Sequence, residues 1–585
     1  MRHLLFLTFL AICSASGGPV VEVETGSVEG EVLTTRRGID VHTFRGIPFA
    51  APPVGPLRLK KPEKPQSWEG VLEAKAFSKG CPPGQELAFS FLTNNDYDED
   101  CLYLNVFAPI EKSTEFPEGY PVVVFIHGGG FNLGSSMNYG MEVVSDLYVT
   151  KGVIWVSIQY RMGTLGFLST GEPLGARGNF GLWDQVEALR WLRRNIGAFG
   201  GDPESITVIG HSAGSGSVSA LAISSHSRDL FQKAIHMSGS VLGPWCVHDR
   251  TKHSYRVLKV LGCGEHEQAA DAIECFRQKS VSEILEAVKK IGGYLEPTKQ
   301  YLRFGPIWDG DFFDRPLEIL FKESPVKPTI IGTTDADGAW FTLPLKSMYP
   351  LEIKELYHDI DATTFDKEKL AKKLEALFFS DVPSEHRDKL VKLALEHYYQ
   401  EEKGVKESVL ASRAYTEAFG DMLMYKPAYD EIQKRVGSNK QYPMWQYSFE
   451  YYNPTAFPDE HDERHPVKGV YHVMDVLYMF NFSKEFHLAL NEDDERMFEL
   501  VATYWTNFAK YGDPTPEGHF SGTKWTKVKE EGNVNGALII GKKQEMRKVF
   551  RKEMIAFWAR IPSYVSLLHS MQEAKEKKAR EKDEL

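Results

Sequence analysis

The sequence predicts the α/β fold class: a central, mostly parallel twisted sheet with helices on both faces. Strands that are buried on both faces are continuous apolar runs, as in parallel sheets. Four such runs, rich in β-branched residues, each end at glycine or turn residues: VVVFIHGGG from Val122, GVIWVSIQY from Gly152, SITVIGHS from Ser205 and PTIIGTT from Pro328. Helix-like segments lie between these runs, and this alternation is typical of α/β proteins.

Helical periodicity is clearest in GLWDQVEALRWLRRNI, residues 181–196. Four of its apolar side chains fall on one face of a helix: Leu182, Val186, Leu189 and Leu192. Residues from about 257 to 405 show similar mixtures of charged and apolar positions. We interpret them as insertions above the sheet, because no linker-like tract or fixed-period repeat divides the chain. The sequence therefore predicts one domain over residues 17–566.

Composition and net charge argue against a nucleic-acid partner. Of the 585 residues, 42% are hydrophobic and 25% are charged, which is ordinary for a globular protein. The formal net charge is −12 at pH 7. A nucleic-acid partner requires a basic face, so we expect none.

The N-terminal residues 1–16 predict a signal peptide that is removed. Arg2 and His3 precede an apolar run, Leu4–Ile12, and small residues follow, so cleavage near Ala15 or Ser16 fits. The run is shorter than the roughly 20 residues that a membrane-spanning helix needs. Since no other stretch is long and apolar enough, we expect no membrane span.

The C-terminal residues 567–585 form a charged tail. The tail ends in the KDEL sequence, a retrieval address that a receptor of the endoplasmic reticulum reads: Lys582, Asp583, Glu584 and Leu585. Together with a signal peptide, this address predicts residence in the lumen of the endoplasmic reticulum and the KDEL receptor as a partner.

Cysteine usage fits an oxidising compartment. One of the six cysteines, Cys13, lies in the predicted signal peptide, so five remain and at least one is unpaired. We favour the compact pairings Cys81–Cys101 and Cys263–Cys275 with Cys246 as a free thiol, although spacing alone leaves other pairings open. The sequon Asn481-Phe482-Ser483 predicts glycosylation at Asn481.

The segment with the clearest chemical content is Gly210-His211-Ser212-Ala213-Gly214, which fits G-x-S-x-G. It follows a predicted strand and precedes a run of small residues that can start a helix. Its glycines permit a sharp turn that presents Ser212 as a nucleophile at the helix N-terminus. The alternative is a serine in an ordinary strand–helix loop.

A second glycine-rich segment, His127-Gly128-Gly129-Gly130, also follows a predicted strand. Bare backbone there can turn N–H groups into a pocket. We expect the N–H groups of Gly129 and Gly130, together with that of Ala213, to form an oxyanion hole. A phosphate-binding loop is disfavoured because no G-K-[ST] follows.

Longer stretches make a family resemblance specific. They are FGGDPESITVIGHSAG from Phe199, EDCLYLNVFAP from Glu99, FRGIPFAAPPVGPLRL from Phe44 and NFGLWDQVEALRWLRRNI from Asn179. From about residue 20 to 560 the chain resembles the type-B carboxylesterase/lipase family, which includes the cholinesterases. The resemblance implies an α/β-hydrolase fold with helical insertions over an active-site gorge. With the predicted targeting signals, it is closest to the nematode intestinal (gut) esterases.

The resemblance implies a triad in the chain order serine, acid, histidine. The family's G-x-x-x-x-E-G stretch matches residues 332–338, where Asp337 replaces the usual glutamate. Asp335 is the alternative acid. The stretch GVYHVMDVLYMF resembles the family's histidine segment and makes His472 the base. No metal or organic cofactor is required.

His211, the neighbour of Ser212, is not expected to be the base. Consecutive side chains of a strand point to opposite sides, so His211 should point into the protein beneath the turn. The family usually has a glutamate here. A neutral histidine adds no negative charge, which predicts a site less suited to cationic substrates.

The substrate class follows from aromatic residues that the resemblance places near the site. The loop between Cys81 and Cys101 contains Phe89 and Phe91 but no tryptophan, whereas cholinesterases hold a quaternary ammonium on a tryptophan there. Trp340 and Phe341 match gorge positions, with core packing as the alternative. We expect an esterase of broad specificity toward hydrophobic, uncharged esters. A lipase or hormone-specific esterase is the alternative; a non-catalytic adhesion protein is disfavoured because serine, acid and histidine are all present.

Overall fold

The computed structural model of this chain describes residues 17–85, 96–171, 175–264, 268–296, 301–343, 360–380, 384–437, 442–456, 466–482, 489–528 and 536–561. The predicted signal peptide, the KDEL tail, Phe89, Phe91 and Ser483 of the sequon lie outside these residues.

The strands were predicted from apolar runs, and the structure forms strands at all four. In chain order the strands are β1 (Val20–Val23), β2 (Gly26–Glu29), β3 (Glu31–Thr34), β4 (Asp40–Pro48), β5 (Val71–Glu73), β6 (Tyr103–Pro109), β7 (Tyr120–Ile126), β8 (Ile154–Ile158), β9 (Gly201–His211), β10 (Lys233–Met237), β11 (Leu295–Glu296), β12 (Tyr301–Leu302), β13 (Thr329–Thr334), β14 (Met444–Phe449), β15 (Ala537–Ile540) and β16 (Gln544–Arg547).

A central sheet of eleven strands joins most of them, in the order β16-β15-β14-β13-β10-β9-β7-β8-β6-β4-β3. From β15 to β8 all neighbours are parallel; only the two margins, β16 on one side and β6, β4 and β3 on the other, pair antiparallel. The predicted mostly parallel α/β fold is confirmed. Parallel strands end at the same edge, so the turns after β7, β9 and β13 meet there.

Burial explains why the central strands are apolar. Val208 of β9 pairs with Val124 of β7 on one side and Ala234 of β10 on the other, and all three are fully buried. Helices cover both faces of such a sheet, so no position of the strand centre meets water. The continuous apolar runs of the sequence are the consequence.

The helices pack around this sheet. They are α1 (Met141–Leu147), α2 (Gly163–Phe167), α3 (Phe180–Asn195), α4 (Ala213–Ile223), α5 (Thr251–Val260), α6 (Ala269–Arg277), α7 (Val281–Lys290), α8 (Leu317–Glu323), α9 (Ala339–Thr342), α10 (Lys367–Phe378), α11 (Ser384–Tyr398), α12 (Glu407–Gly420), α13 (Lys426–Val436), α14 (Met474–Phe480), α15 (Glu492–Tyr511) and α16 (Lys552–Trp558). A π-helical turn, Asp421–Tyr425, joins α12 to α13.

Two groups of helices interrupt the strand order. Helices α5–α8 lie in the chain between β10 and β13, and α9–α13 lie between β13 and β14. They run from Thr251 to Val436, so they include residues 257–405, which the sequence analysis interpreted as insertions, and extend beyond them by two helices, α12 and α13. Within the described ranges, no helix has the length and apolar character needed to cross a membrane.

Disulfides join Cys81 to Cys101 and Cys263 to Cys275, the pairings that the sequence favoured. Cys246 is a free, buried thiol. Burial raises its pKa to about 12, so it stays protonated at neutral pH.

Candidate active site

Ser212 occupies a tight turn between the end of β9 and the start of α4. Its backbone lies in the positive-φ region, with φ 56° and ψ −119°, which is strained for a residue other than glycine. A Cβ atom on Gly210 would stand 2.3 Å from the Gly214 oxygen, and one on Gly214 would stand 2.0 Å from the Ile126 oxygen. Both glycines of G-x-S-x-G are therefore needed for the backbone to close this turn.

The glycine-rich segment after β7 lies directly beside this turn. A Cβ on Gly128 would stand 3.1 Å from the Ser212 Cβ. Gly129 and Gly130 have φ values of 108° and 60°, which favour glycine. Among the described residues, the N–H groups of Gly129, Gly130 and Ala213 have no acceptor, so all three predicted oxyanion donors are free.

His127, the first residue of that segment, holds the segment in place through its buried side chain. The His127 side chain is fully buried, and its Nδ1 lies 2.9 Å from the Gly128 oxygen. Tyr160 stacks on the imidazole at 4.4 Å and donates its hydroxyl to the His127 carbonyl. Burial lowers the pKa of His127 to about 4, so the ring is neutral and acts as a support.

Asp337 and His472, which the sequence assigned as acid and base, are in contact. His472 Nδ1 lies 2.7 Å from Asp337 Oδ1, and both side chains are buried. The other carboxylate oxygen of Asp337 accepts from the Thr334 N–H at 3.1 Å and from the Ser238 hydroxyl at 3.2 Å. The acid is thereby fixed from both sides, and it holds the imidazole in one orientation.

The second imidazole nitrogen, His472 Nε2, is buried and has no hydrogen-bond partner in the described part of the chain. The structure records no hydrogen bond between it and the Ser212 hydroxyl. Such bonds are often long before substrate binds. Ser212 itself is partly exposed.

Asp335, the alternative acid, does not contact the imidazole. Its Oδ1 accepts from the Val470 N–H at 2.6 Å, two residues before His472. Burial raises the pKa of Asp335 to about 7. Asp337 is therefore the carboxylate that contacts His472, whereas Asp335 connects two loops.

His211 is buried, as strand alternation predicts, but it also packs against the base. The rings of His211 and His472 have centroids 4.7 Å apart, and His211 Nε2 lies 3.6 Å from Asp475 Oδ1. Burial and the neighbouring His472 lower the pKa of His211 well below its ordinary value. The ring is therefore neutral beside the base.

Asp475 is a site residue that the sequence analysis missed. It lies in α14, is almost fully buried, and accepts from the Tyr447 hydroxyl at 3.3 Å and from the Val476 N–H at 2.9 Å. Burial, then the negative charge of Asp337, raises its pKa to about 7. The usable signal was its residue type, because Asp475 is the one carboxylate in the mostly apolar stretch GVYHVMDVLYMF, and a buried carboxylate needs partners.

The predicted pocket aromatics differ in exposure. The Phe341 ring is partly exposed and lies 5.1 Å from the His472 ring. Trp340 is only 3% exposed and belongs to the core, so Phe341 is the one of the two that can present a ring to a ligand. Asn481, the predicted glycosylation residue, ends α14 and is partly buried.

In the described ranges, no set of three or more His, Cys, Asp or Glu side chains is arranged to hold a metal ion.

Comparisons with known proteins agree with this geometry. A family model described as "Carboxylesterase family" matches residues 17–558. Gut esterase 1 of Caenorhabditis briggsae is 33% identical, over 95% of this chain and 95% of its own length. Esterase cest-33 of Caenorhabditis elegans is 33% identical over 92% and 94%. Neuroligin-3 of Mus musculus is 29% identical over 94% of this chain and 70% of its own length. The family resemblance read from the motifs is confirmed: the chain belongs to the carboxylesterase family.

Proposed function

We propose that this chain hydrolyses carboxylic esters through an acyl-enzyme on Ser212. One observation carries the proposal: the Asp337–His472 pair is joined at 2.7 Å and lies against the turn that strains Ser212. A nucleophile, an oriented imidazole and unpaired backbone N–H groups are the parts that acyl transfer requires. The match to the carboxylesterase family supports the same chemistry.

The reaction runs in two steps. His472, oriented by Asp337, takes the proton of the Ser212 hydroxyl, and the serine oxygen attacks the ester carbonyl. The N–H groups of Gly129, Gly130 and Ala213 hold the resulting oxyanion, and His472 returns the proton to the departing alcohol. Water then gives a proton to His472 and attacks the acyl carbonyl, and His472 passes that proton to the serine oxygen as its bond to the acyl group breaks, which releases the acid and the free serine.

The proposed substrates are hydrophobic, uncharged esters. His211 is neutral and adds no negative charge of its own beside Ser212 to attract a cationic group. Phe341 offers an aromatic surface next to the base. Both features favour apolar acyl or alcohol groups over quaternary ammonium groups.

Ser212→Ala tests the mechanism. We expect it to reduce kcat on 4-nitrophenyl butyrate by on the order of 10⁶-fold, as when other serine hydrolases lose this residue. Ser215→Ala is the matched control, because Ser215 lies in α4 three residues after Ser212 and its buried hydroxyl donates to the Gly239 carbonyl. A fluorophosphonate probe should label wild type and Ser215→Ala, with the label mapped to Ser212.

The alternatives give different results in the same assays. A lipase would prefer long acyl chains presented at an interface over soluble short-chain esters. The similarity to neuroligin-3 is the observation that favours the second alternative, a non-catalytic protein. Wild-type protein that neither hydrolyses the ester nor reacts with the probe would refute the proposed function.

A further inference from the structure

The loops that carry Asp337 and His472 are joined outside the triad. Asp335 accepts the Val470 N–H with its side chain, and the Ala336 N–H donates to the Val470 carbonyl at 3.0 Å. Gly469, with φ 146°, allows this approach, because a Cβ there would stand 3.0 Å from both Asp335 oxygens. The distance between acid and base therefore depends on this connection.

Arg551, from the chain segment just before α16, holds the same loop from the other side. Its Nη2 donates to the Asp335 carbonyl at 3.1 Å, and its Nη1 donates to the Asp421 carboxylate at 2.7 Å. The guanidinium lies 3.3 Å from the centre of the Tyr425 ring, a cation–π contact. One side chain thus links the acid loop to the π-helical turn.

The partners of Arg551 are themselves tied to the acid. The Tyr425 hydroxyl donates to the Thr334 carbonyl, and the Thr334 N–H donates to the Asp337 carboxylate. Asp421 is fully buried and also accepts from the Tyr398 hydroxyl. The π-helical turn is therefore fixed, and Arg551 transfers that fixed position to the backbone of Asp335.

The backbone of Arg551 indicates that its side chain is required at this position. Its φ is 47° and its ψ is 47°, the left-handed region, which a long side chain adopts only under strain. Glycine would occupy this conformation without strain. The contacts of the guanidinium maintain the strained backbone.

We propose that Arg551 and Asp335 are positioning residues, through which the C-terminal segment sets the placement of His472 against Asp337. The proposal rests on the proposed function, because its kinetic consequence is an effect on the same triad. In this proposal both residues act through the backbone of the loops that carry Asp337 and His472.

Four variants and one control test it. Arg551→Gly keeps the backbone conformation and removes the guanidinium, and Arg551→Lys keeps the charge without the forked contact. Asp335→Ala removes the acceptor for Val470, and Asp335→Asn keeps it. The control is Arg58→Met, because Arg58 also carries a guanidinium that binds a carboxylate, Glu99, and backbone carbonyls, and it lies away from the triad.

Kinetics and hydrogen exchange are measured together, well below the melting temperature of every variant. We expect Arg551→Gly and Asp335→Ala to lose about 10-fold or more in kcat with KM within about twofold, because small misplacements of catalytic groups have effects of this size. Asp335→Asn should stay near wild type, and Arg551→Lys should be intermediate. Amide exchange in residues 466–480 should accelerate in the two damaged variants and not in Arg58→Met.

The outcomes are separable. If Arg551→Gly and Asp335→Ala lose no more kcat than Arg58→Met, or if Asp335→Asn falls as far as Asp335→Ala, the proposal is wrong. If wild-type protein hydrolyses no ester, the proposed function fails. Amide exchange in residues 466–480 then still tests whether Arg551 holds the loop that carries His472. Unchanged exchange in Arg551→Gly refutes this claim, and faster exchange supports it.

Discussion

The free energy of burying the Asp475 carboxylate can be measured by mutation. This carboxyl lies beside His211, whose ring packs against His472. Four groups face its carboxyl: His211 from β9, Tyr447 from β14, Asp337 from the loop after β13, and the Val476 N–H of its own helix. None of them is a cation at neutral pH. Asp475→Asn keeps the shape of the side chain and removes the charge, so it isolates the free energy of burying that charge.

The size and sign of the effect follow from the raised pKa. The pKa of Asp475 is about 7 in the folded protein, against an ordinary value of 3.8, a difference of about 3 pH units. Each unit corresponds to about 1.4 kcal/mol, so the full linkage is about 4 kcal/mol. The stability that the protonated carboxyl contributes is fully present below about pH 3.8 and is lost as pH rises through about 7.

Urea unfolding followed by tryptophan fluorescence checks this between about pH 4.5 and pH 8. We expect the free energy of unfolding of Asp475→Asn, relative to wild type, to rise by about 1–4 kcal/mol over that range, since local water and relaxation reduce the full value. Asp366→Asn is the control, whose difference from wild type should stay constant between about pH 4.5 and pH 8, because a carboxyl with a lowered pKa stays ionised over that range in both the folded and the unfolded protein. The Lys369 N–H that Asp366 accepts at the start of α10 lowers its pKa. A difference for Asp475→Asn that does not change with pH would refute the reasoning.

Three further perturbations have defined outcomes. Gly214→Ala places a methyl group 2.0 Å from the Ile126 oxygen. We expect the free energy of unfolding, measured by thermal unfolding, to fall by about 3 kcal/mol and kcat to fall as well. Wild-type values of both would contradict the strained turn. Replacing Cys81 and Cys101 by serine opens a loop with a sequence separation of 20 and should lower the free energy of unfolding by about 3 kcal/mol, measured in urea. His211→Glu adds a charge beside the site and should raise the kcat/KM ratio of choline to neutral esters by about tenfold; an unchanged ratio would show that this position does not select charge.

The fold and the ends of the strands were predictable because they depend on local patterns. A strand buried on both faces must be apolar along its length, and glycines must follow where the backbone turns sharply. Those rules located Ser212 and Gly128–Gly130 without a structure. The family resemblance added Asp337 and His472, which no spacing rule connects, since they lie 135 residues apart.

The surroundings of the triad were not predictable from local patterns. Both Asp335 and Asp337 follow β13, and only the structure shows that one binds Val470 and the other His472. The contact of His211 with Asp475 and that of Arg551 with Asp335 join segments more than 200 residues apart. Ser238, which donates to Asp337, is the one contact residue of the triad that a local pattern could have indicated. It directly follows β10, at the sheet edge where the site lies.

The order of strands in the sheet also bears on how this protein is synthesised. From β9 onward each new strand of the central sheet, β10, β13, β14, β15 and β16, is added beside the previous one. The growing chain therefore exposes an unpaired strand edge beside Ser212 until β10 has left the ribosome, and such edges promote aggregation. Arg551 follows Ser212 by 339 residues (551 − 212), which is on the order of 20–70 s of translation. During that time the nascent chain carries Ser212 without the complete set of contacts around His472, so the proposed hydrolytic activity should appear only near the end of synthesis.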